Sequence, residues 1–187
     1  FVFDPINPHL NNTIWNSEID ILVLKKSELI IISTTARYHF DYFQMIDSNL
    51  SGKIVIIEKP IFCNSFEFDL FNKRSSKNKN KYFINLPFYN FQLLKELINK
   101  YNLGQMLSYD IQGSNWGLAC NILHDISIID SINDISVFDF NLLSSEINSF
   151  TESKRSGYYE VFGNLKFVLN KIQVDISCAK SSLIKKE

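Results

Sequence analysis

The sequence lacks the features that mark membrane, secreted and metal-binding proteins. No apolar run approaches the roughly 20 residues of a membrane-spanning helix, and no signal peptide is visible. The three cysteines, Cys63, Cys120 and Cys178, are widely spaced and odd in number. They fit neither a disulfide framework nor a zinc motif. We therefore expect a cytoplasmic protein with no membrane partner and no metal site.

The sequence also lacks an excess of charge of one sign. Its 19 basic and 20 acidic residues give a net charge of -1, so no general positive field favours nucleic acid as a partner. The basic, Asn-rich stretch at 73–81 is more typical of a solvated loop than of a phosphate-binding patch. With 187 residues, of which 45% are hydrophobic, the chain can form one core, or one domain and part of another.

Strand and helix patterns alternate in the first sixty residues. Leu29–Ile32 and 54–57 are continuous apolar runs typical of strands, and residues 38–50 between them carry apolar side chains at helical spacing. Strands joined by crossover helices form parallel sheets, so we predict a Rossmann-type parallel sheet. The four β-branched residues at 54–57 further predict a strand that is buried on both faces.

The pattern changes from alternating elements to consecutive strands near residue 105. A strand at 81–86 and a helix at 88–101 come before it, and Gly104 ends that helix in the usual way. We therefore predict a partial Rossmann domain at 1–104 and a partial α+β domain at 105–187.

The second domain is predicted to contain one long helix and a large, mostly antiparallel open sheet. Its predicted elements are a strand at 106–112, the helix at 117–132, a strand at 135–143, a hairpin at 158–169 that turns at Gly163-Asn164, and a strand at 172–178. Because the chain opens inside a predicted strand and ends in a β-rich region, we expect a fragment truncated at both ends.

The first candidate functional residue is Lys59. Pro60 cannot donate a hydrogen bond to a sheet and disfavours helical geometry at the residue before it, so the strand at 54–57 must end here. Lys59 is thereby placed at the carboxyl end of a central strand, where open α/β sheets bind their ligands.

Two other strand ends carry polar residues whose role the pattern leaves open. Asp4 follows a short strand, and an acid at the end of a Rossmann strand binds the adenosine ribose hydroxyls, but an Asp before Pro5 is equally typical of a turn. Residues 33–36 are small and mostly hydroxylated, which suits either a ligand site or a helix cap.

The long helix carries one polar stripe on a mostly apolar surface. Asn121, His124 and Ser127 are three residues apart and share one face. Unpaired buried polar groups are costly, so the stripe either packs against polar backbone or faces a cleft. His39, in the first turn of an earlier helix, is a lone histidine of the kind that is more often structural.

Taken together, these segments resemble the Gfo/Idh/MocA oxidoreductases. The most specific match is residues 52–60, Gly-Lys-Ile-Val-Ile-Ile-Glu-Lys-Pro, which are similar to the family's Gly-Lys-His-Val-x-x-Glu-Lys-Pro hallmark. Residues 33–39 look like its strand-end segment, and residues 115–124 look like the helix that bears its catalytic histidine. Residues 153–160 are similar to a later segment in some members.

The resemblance implies an NAD(P)-dependent oxidoreductase that acts on a secondary alcohol of a sugar, sugar nucleotide or cyclitol. It implies that Lys59, His124 and Asn121 are catalytic, with Lys59 near the nicotinamide and the substrate hydroxyl and His124 as the proton acceptor or donor. The residues that it places around the cofactor are Asp4, Thr34, Thr35, His39, Glu58 and Lys59. Asp4 favours NAD while leaving NADP open, and dimers or tetramers remain open as well.

The sequence departs from the family pattern at several places. Asn121 and Ser127 stand where many members have Asp, and Thr35 replaces a proline. The glycine-rich phosphate loop would precede Phe1, so we expect weakened cofactor affinity in this chain. These departures keep a second hypothesis open, a catalytically inactive relative that binds a dinucleotide or a sugar as a sensor or scaffold. A third reading is an unrelated α/β protein.

Overall fold

The computed structural model describes residues 2–3, 15–16, 19–86, 92–133, 135, 138–153 and 157–180. The chain forms two compact units, Phe1–Asn85 and Leu86–Glu187. Each unit contains its own sheet and its own core of buried side chains. In the part of the chain that is described, no helix is long and apolar enough to cross a membrane.

The first unit is built on a three-stranded parallel sheet. Its strands lie in the order β3-β4-β5, and Ile30 pairs with Val55, which pairs with Tyr82. The elements in chain order are β1 (Val2–Phe3), β2 (Trp15–Asn16), α1 (Ile21–Lys26), β3 (Leu29–Ile32), a 3₁₀ turn (Ala36–Tyr38), α2 (His39–Asn49), β4 (Ile54–Glu58), α3 (Ser65–Ser75) and β5 (Lys81–Asn85). The predicted parallel sheet is confirmed.

The core of the first unit lies against one face of this sheet. Val55 and Ile57 of β4 are fully buried and belong to the same cluster as Phe43 and Ile46 of α2. Ile54, on the opposite face of β4, is 44% exposed. The prediction that β4 is buried on both faces was therefore wrong. Successive strand side chains point to opposite faces, and the helices that contribute to this core cover only one of them.

The second unit is built on a four-stranded mixed sheet. Its order is β6-β9-β8-β7, in which β6 and β9 are parallel and the other pairs are antiparallel. The elements are α4 (Gln92–Lys100), β6 (Ser108–Ser114), α5 (Leu118–Asn133), β7 (Phe140–Glu152), β8 (Tyr159–Leu169) and β9 (Ile172–Ala179). The predicted fold class, a parallel sheet followed by a mostly antiparallel one, is confirmed.

The long helix α5 packs on the sheet of the second unit and forms its core. Ile129 of α5 is fully buried in one cluster with Phe167 of β8 and Ile176 of β9. Helix α4 contacts α5 and lies in this unit. Compact units need not coincide with domains, so the domain boundary at 104/105 stays a prediction.

The predicted hairpin turn at Gly163-Asn164 was wrong. Strand β8 runs straight through these residues, and the turn comes at Asn170-Lys171, where φ is +48° and +70°. Two residues with positive φ form the tight turn that joins twisted antiparallel strands. Gly163 has a different role, because a Cβ there would overlap the Glu146 carbonyl of β7. The glycine lets the two strands approach closely.

Candidate active site

Lys59 lies where the sequence predicts it, directly after the last residue of β4. That strand is central in the parallel sheet, with β3 on one side and β5 on the other. Lys59 is half-buried, so its side chain is partly open to solvent. A cationic side chain at the carboxyl end of a central parallel strand suits a ligand with a hydroxyl or anionic group.

Glu58 is held by a neighbour that the sequence analysis missed. Asn85 donates a hydrogen bond from its side-chain nitrogen to Glu58 Oε1 at 2.5 Å. The two residues are paired across β4 and β5 at the carboxyl ends of both strands. Asn85 is the last residue of β5, the strand beside β4. A polar residue at the end of the strand next to the Glu-Lys-Pro strand is the signal that would have predicted this contact.

Thr35 supplies an unsatisfied polar atom close to the carboxyl end of β3. Its Oγ1 is buried and has no hydrogen-bond partner among the described residues. A buried hydroxyl without a hydrogen-bond partner destabilises the protein. A polar ligand at this edge of the sheet would supply the missing partner and remove that cost. Together with Glu58 and Lys59, this hydroxyl fits a nicotinamide dinucleotide, which presents both donors and acceptors. Thr34, beside it, is half-buried.

His39 lies at the start of α2, and its ring is almost completely buried, with 1% exposed. Its Nδ1 is 3.0 Å from the Ile61 carbonyl oxygen, and its Nε2 is 3.0 Å from the Thr34 carbonyl oxygen. Both ring nitrogens are therefore engaged by backbone. This geometry suits a residue that organises the strand ends.

The polar stripe of α5 bonds to backbone at two of its three positions. Asn121 donates from its side-chain nitrogen to the carbonyls of Trp116 and Gly117, and Ser127 Oγ donates to the His124 carbonyl at 2.7 Å. Of the two alternatives for the stripe, backbone packing holds for Asn121 and Ser127. His124 is half-buried.

Two acidic residues, Asp125 and Glu160, form hydrogen bonds that join α5 to the sheet of the second unit. The sequence analysis did not single them out. Asp125 is 5% exposed and accepts a hydrogen bond from Tyr109 of β6. Burial raises the pKa of Asp125, while Tyr109 and the charge of His124 oppose that rise. Glu160 of β8 accepts a hydrogen bond from the Cys120 thiol, with 3.4 Å between the atoms. The partners are 16 and 40 residues apart in sequence, so helical or strand periodicity could not have predicted either contact.

The structure therefore gathers one group of predicted residues at a single sheet edge. Thr34, Thr35, Glu58 and Lys59 follow or end neighbouring parallel strands of the first unit, and His39 joins the loops there. Asn121 and His124 lie together on α5 of the second unit. Asp4 lies outside the described residues, so its role stays a prediction.

Comparison with known proteins identifies the fold. No protein-family model and no curated protein sequence matches the chain. Among solved structures, the chain is similar to UDP-N-acetylglucosamine 3-dehydrogenase GnnA from Acidithiobacillus ferrooxidans, with 10% identity over 87% of this chain and 54% of that one, and a TM-score of 0.62. An oxidoreductase from Bacillus cereus gives 14% identity, 92% and 52% coverage, and a TM-score of 0.64.

A super-repressor mutant of Gal80p from Saccharomyces cerevisiae has the same fold, with 15% identity, 90% and 54% coverage, and a TM-score of 0.64. The chain thus has the fold of Gfo/Idh/MocA-type oxidoreductases, which confirms the resemblance at the level of the fold. It spans about half the length of the structures that it matches.

Proposed function

We propose that the protein is an NAD(P)-dependent oxidoreductase that transfers a hydride between a nicotinamide and a secondary alcohol of a sugar, sugar nucleotide or cyclitol. The observation that carries this proposal is the position of Lys59 at the carboxyl end of the central strand β4. Structures with the same fold include a UDP-N-acetylglucosamine 3-dehydrogenase, which supports a carbohydrate substrate.

The residues at the sheet edge are suited to hold the dinucleotide. Thr35 offers a buried hydroxyl that lacks a partner among the described residues, Glu58 is fixed by Asn85, and Lys59 supplies a positive charge. Asp4 is proposed to bind the adenosine ribose, which favours NAD. When bound, the nicotinamide accepts or donates the hydride.

The chain's own residues are proposed to handle the proton and the developing charge. Lys59 stabilises the alkoxide character that forms on the substrate oxygen. His124 accepts the proton, because an imidazole titrates near neutral pH. Asn121 fixes the first turn of the helix that carries His124, through its bonds to the Trp116 and Gly117 carbonyls.

The test compares three variants of the protein in steady-state assays with NAD, NADP and a panel of sugars, sugar nucleotides and cyclitols. Lys59→Ala should lower kcat by about 100-fold or more. His124→Asn should lower it by roughly 100-fold to 10,000-fold and remove the pH dependence near neutrality. Lys81→Ala should retain full activity, because Lys81 begins β5 and so lies at the opposite edge of the sheet. Full activity of folded Lys59→Ala would exclude the proposal.

A non-catalytic binding protein is the second candidate function. Asn121 occupies a position where many family members have Asp, and its amide bonds to backbone. The structures of the same fold include a super-repressor mutant of Gal80p, which supports a non-catalytic role. Calorimetric titration discriminates the two functions: a sensor would bind NAD or a sugar, show no turnover with any substrate of the panel, and keep its ligand affinity in His124→Asn.

A further inference from the structure

The His39 side chain bridges the loops that follow two neighbouring strands. Its Nε2 contacts the Thr34 carbonyl and its Nδ1 contacts the Ile61 carbonyl, each at 3.0 Å. Thr34 lies two residues beyond the end of β3, and Ile61 lies three residues beyond the end of β4. The ring therefore fixes the two loops to each other at the edge that carries Lys59.

The bridge depends on the protons that the ring carries. Carbonyl oxygens only accept hydrogen bonds, so each ring nitrogen that bonds to one must carry a proton. A neutral imidazole can donate to one carbonyl and an imidazolium to both. Only 1% of the residue is exposed, and the contact with the Ile61 carbonyl is buried, so water cannot readily replace this bond and its loss leaves a buried carbonyl without the ring as its partner.

Lys59 lies between two fixed points of the backbone. On one side, Glu58 belongs to β4 and its carboxylate accepts a hydrogen bond from Asn85. On the other side, Ile61 is 4% exposed, its side chain belongs to the core, and its carbonyl contacts His39. Only Lys59 and Pro60 lie between these anchors, so the His39 bond limits the positions that the Lys59 backbone can take.

We propose that His39 is a positioning residue for Lys59: by joining the Thr34 and Ile61 carbonyls, its ring sets the backbone from which the Lys59 side chain projects. The effect on turnover rests on the proposed function of Lys59. The geometric effect does not, and it can be measured without any substrate. Both ring nitrogens of His39 contact backbone carbonyls. The effect of His39 on turnover is therefore indirect and depends on where Lys59 is held.

The first test measures the reactivity of individual lysines. The protein and its His39→Gln variant are acetylated with trace acetic anhydride, and each lysine is quantified by mass spectrometry. Since lysine reactivity depends on its surroundings, His39→Gln should change the Lys59 rate by about threefold or more and leave Lys81 unchanged. Ile46→Val is the matched control, because Ile46 lies on the same helix in the same core and its side chain cannot hydrogen-bond to either carbonyl. It should change neither rate.

A second measurement covers the case in which His39→Gln does not fold. Nitrogen-15 NMR of the unmodified protein should show a ring N–H of His39 that exchanges slowly with water and couples to a backbone carbonyl. Ring protons that exchange rapidly at both nitrogens would overturn the proposal. An unchanged Lys59 acetylation rate in a folded His39→Gln variant would also overturn it.

The assays separate this proposal from the proposed function. His39→Gln should lower kcat by about tenfold through misplacement of Lys59. If Lys59→Ala retains full turnover while His39→Gln still alters Lys59 acetylation, the proposed function fails and the positioning role stands. If Lys59→Ala is inactive and His39→Gln changes neither acetylation nor kcat, the positioning role fails alone.

Discussion

Tyr109 donates a hydrogen bond from its phenol to the carboxylate of Asp125, with 2.9 Å between the two oxygens. This bond joins β6 to α5, the helix that carries His124. Burial raises the pKa of Tyr109 well above its ordinary value, so the phenol keeps its proton and remains the donor. The pair links a buried acid, a helix and a sheet at one point of the second unit.

Asp125→Asn should change how the stability of this unit depends on pH. Burial raises the pKa of Asp125 above its ordinary value of 3.8, so the folded state holds the proton more tightly than the unfolded state. Its contribution to stability is present at low pH and is lost as the pH rises through the raised pKa. The stability of Asp125→Asn relative to the unmodified protein should therefore increase as the pH rises above about 4.

Urea titrations followed by tryptophan fluorescence at several pH values, in a Trp15→Phe background that leaves Trp116 as the single tryptophan, measure this difference. Asp139→Asn, which makes the same change at an exposed position, is the control. A constant difference for Asp125→Asn would contradict the prediction.

Asn121→Asp should destabilise α5 by about 1–3 kcal/mol at neutral pH. The amide nitrogen of Asn121 donates to the Trp116 and Gly117 carbonyls, whereas a carboxylate would face them with acceptors only. Urea titration measures the loss, and Asn99→Asp on the exposed surface of α4 should change stability little. A neutral outcome would show that these two bonds contribute nothing to stability at this site.

Gly117→Ala should destabilise the second unit by roughly 1–3 kcal/mol. Gly117 has a φ of +71°, and an added Cβ would overlap the Glu160 carboxylate. Gly104→Ala is the control, since a Cβ there meets no atom within 4 Å. In a Glu160→Ala background the overlap disappears and only the backbone strain remains, so the cost of Gly117→Ala should fall. An equal cost in both backgrounds would show that the overlap does not matter.

Asp47→Ala should cost the first unit about 2–4 kcal/mol. The Asp47 side chain is 7% exposed and forms an ion pair with Arg74 at 2.8 Å. It also accepts hydrogen bonds from Asn78 and from Tyr82. Burial raises the pKa of Tyr82 to about 12, so its phenol keeps the proton that it donates. Removing the carboxylate leaves these donors without their acceptor.

Chemical denaturation of Asp47→Ala, Arg74→Ala and the double variant measures the coupling between the pair. We expect a coupling of about 0.5–3 kcal/mol. Asp69→Ala, an exposed position on α3, should be nearly neutral. Additive effects of Asp47→Ala and Arg74→Ala would show that the ion pair does not contribute.

The sequence by itself determined several of the elements and the position of Lys59. Apolar runs marked β3 and β4, helical spacing marked α2 and α5, and Pro60 marked the strand end, because each of these signals depends only on neighbouring residues. The three motif segments were sufficient to predict the family fold. The same local signals failed at Gly163, where a glycine read as a turn residue lies inside β8.

Only the tertiary structure decided which residues meet. His39 contacts Ile61, Glu58 contacts Asn85, and Tyr109 contacts Asp125, although 16 to 27 residues separate the partners of each pair. It also decided that Ile54 is exposed while Val55 is buried. Periodicity fixes which side chains share a face, but the packing of distant elements fixes which face is covered and which polar atoms find partners.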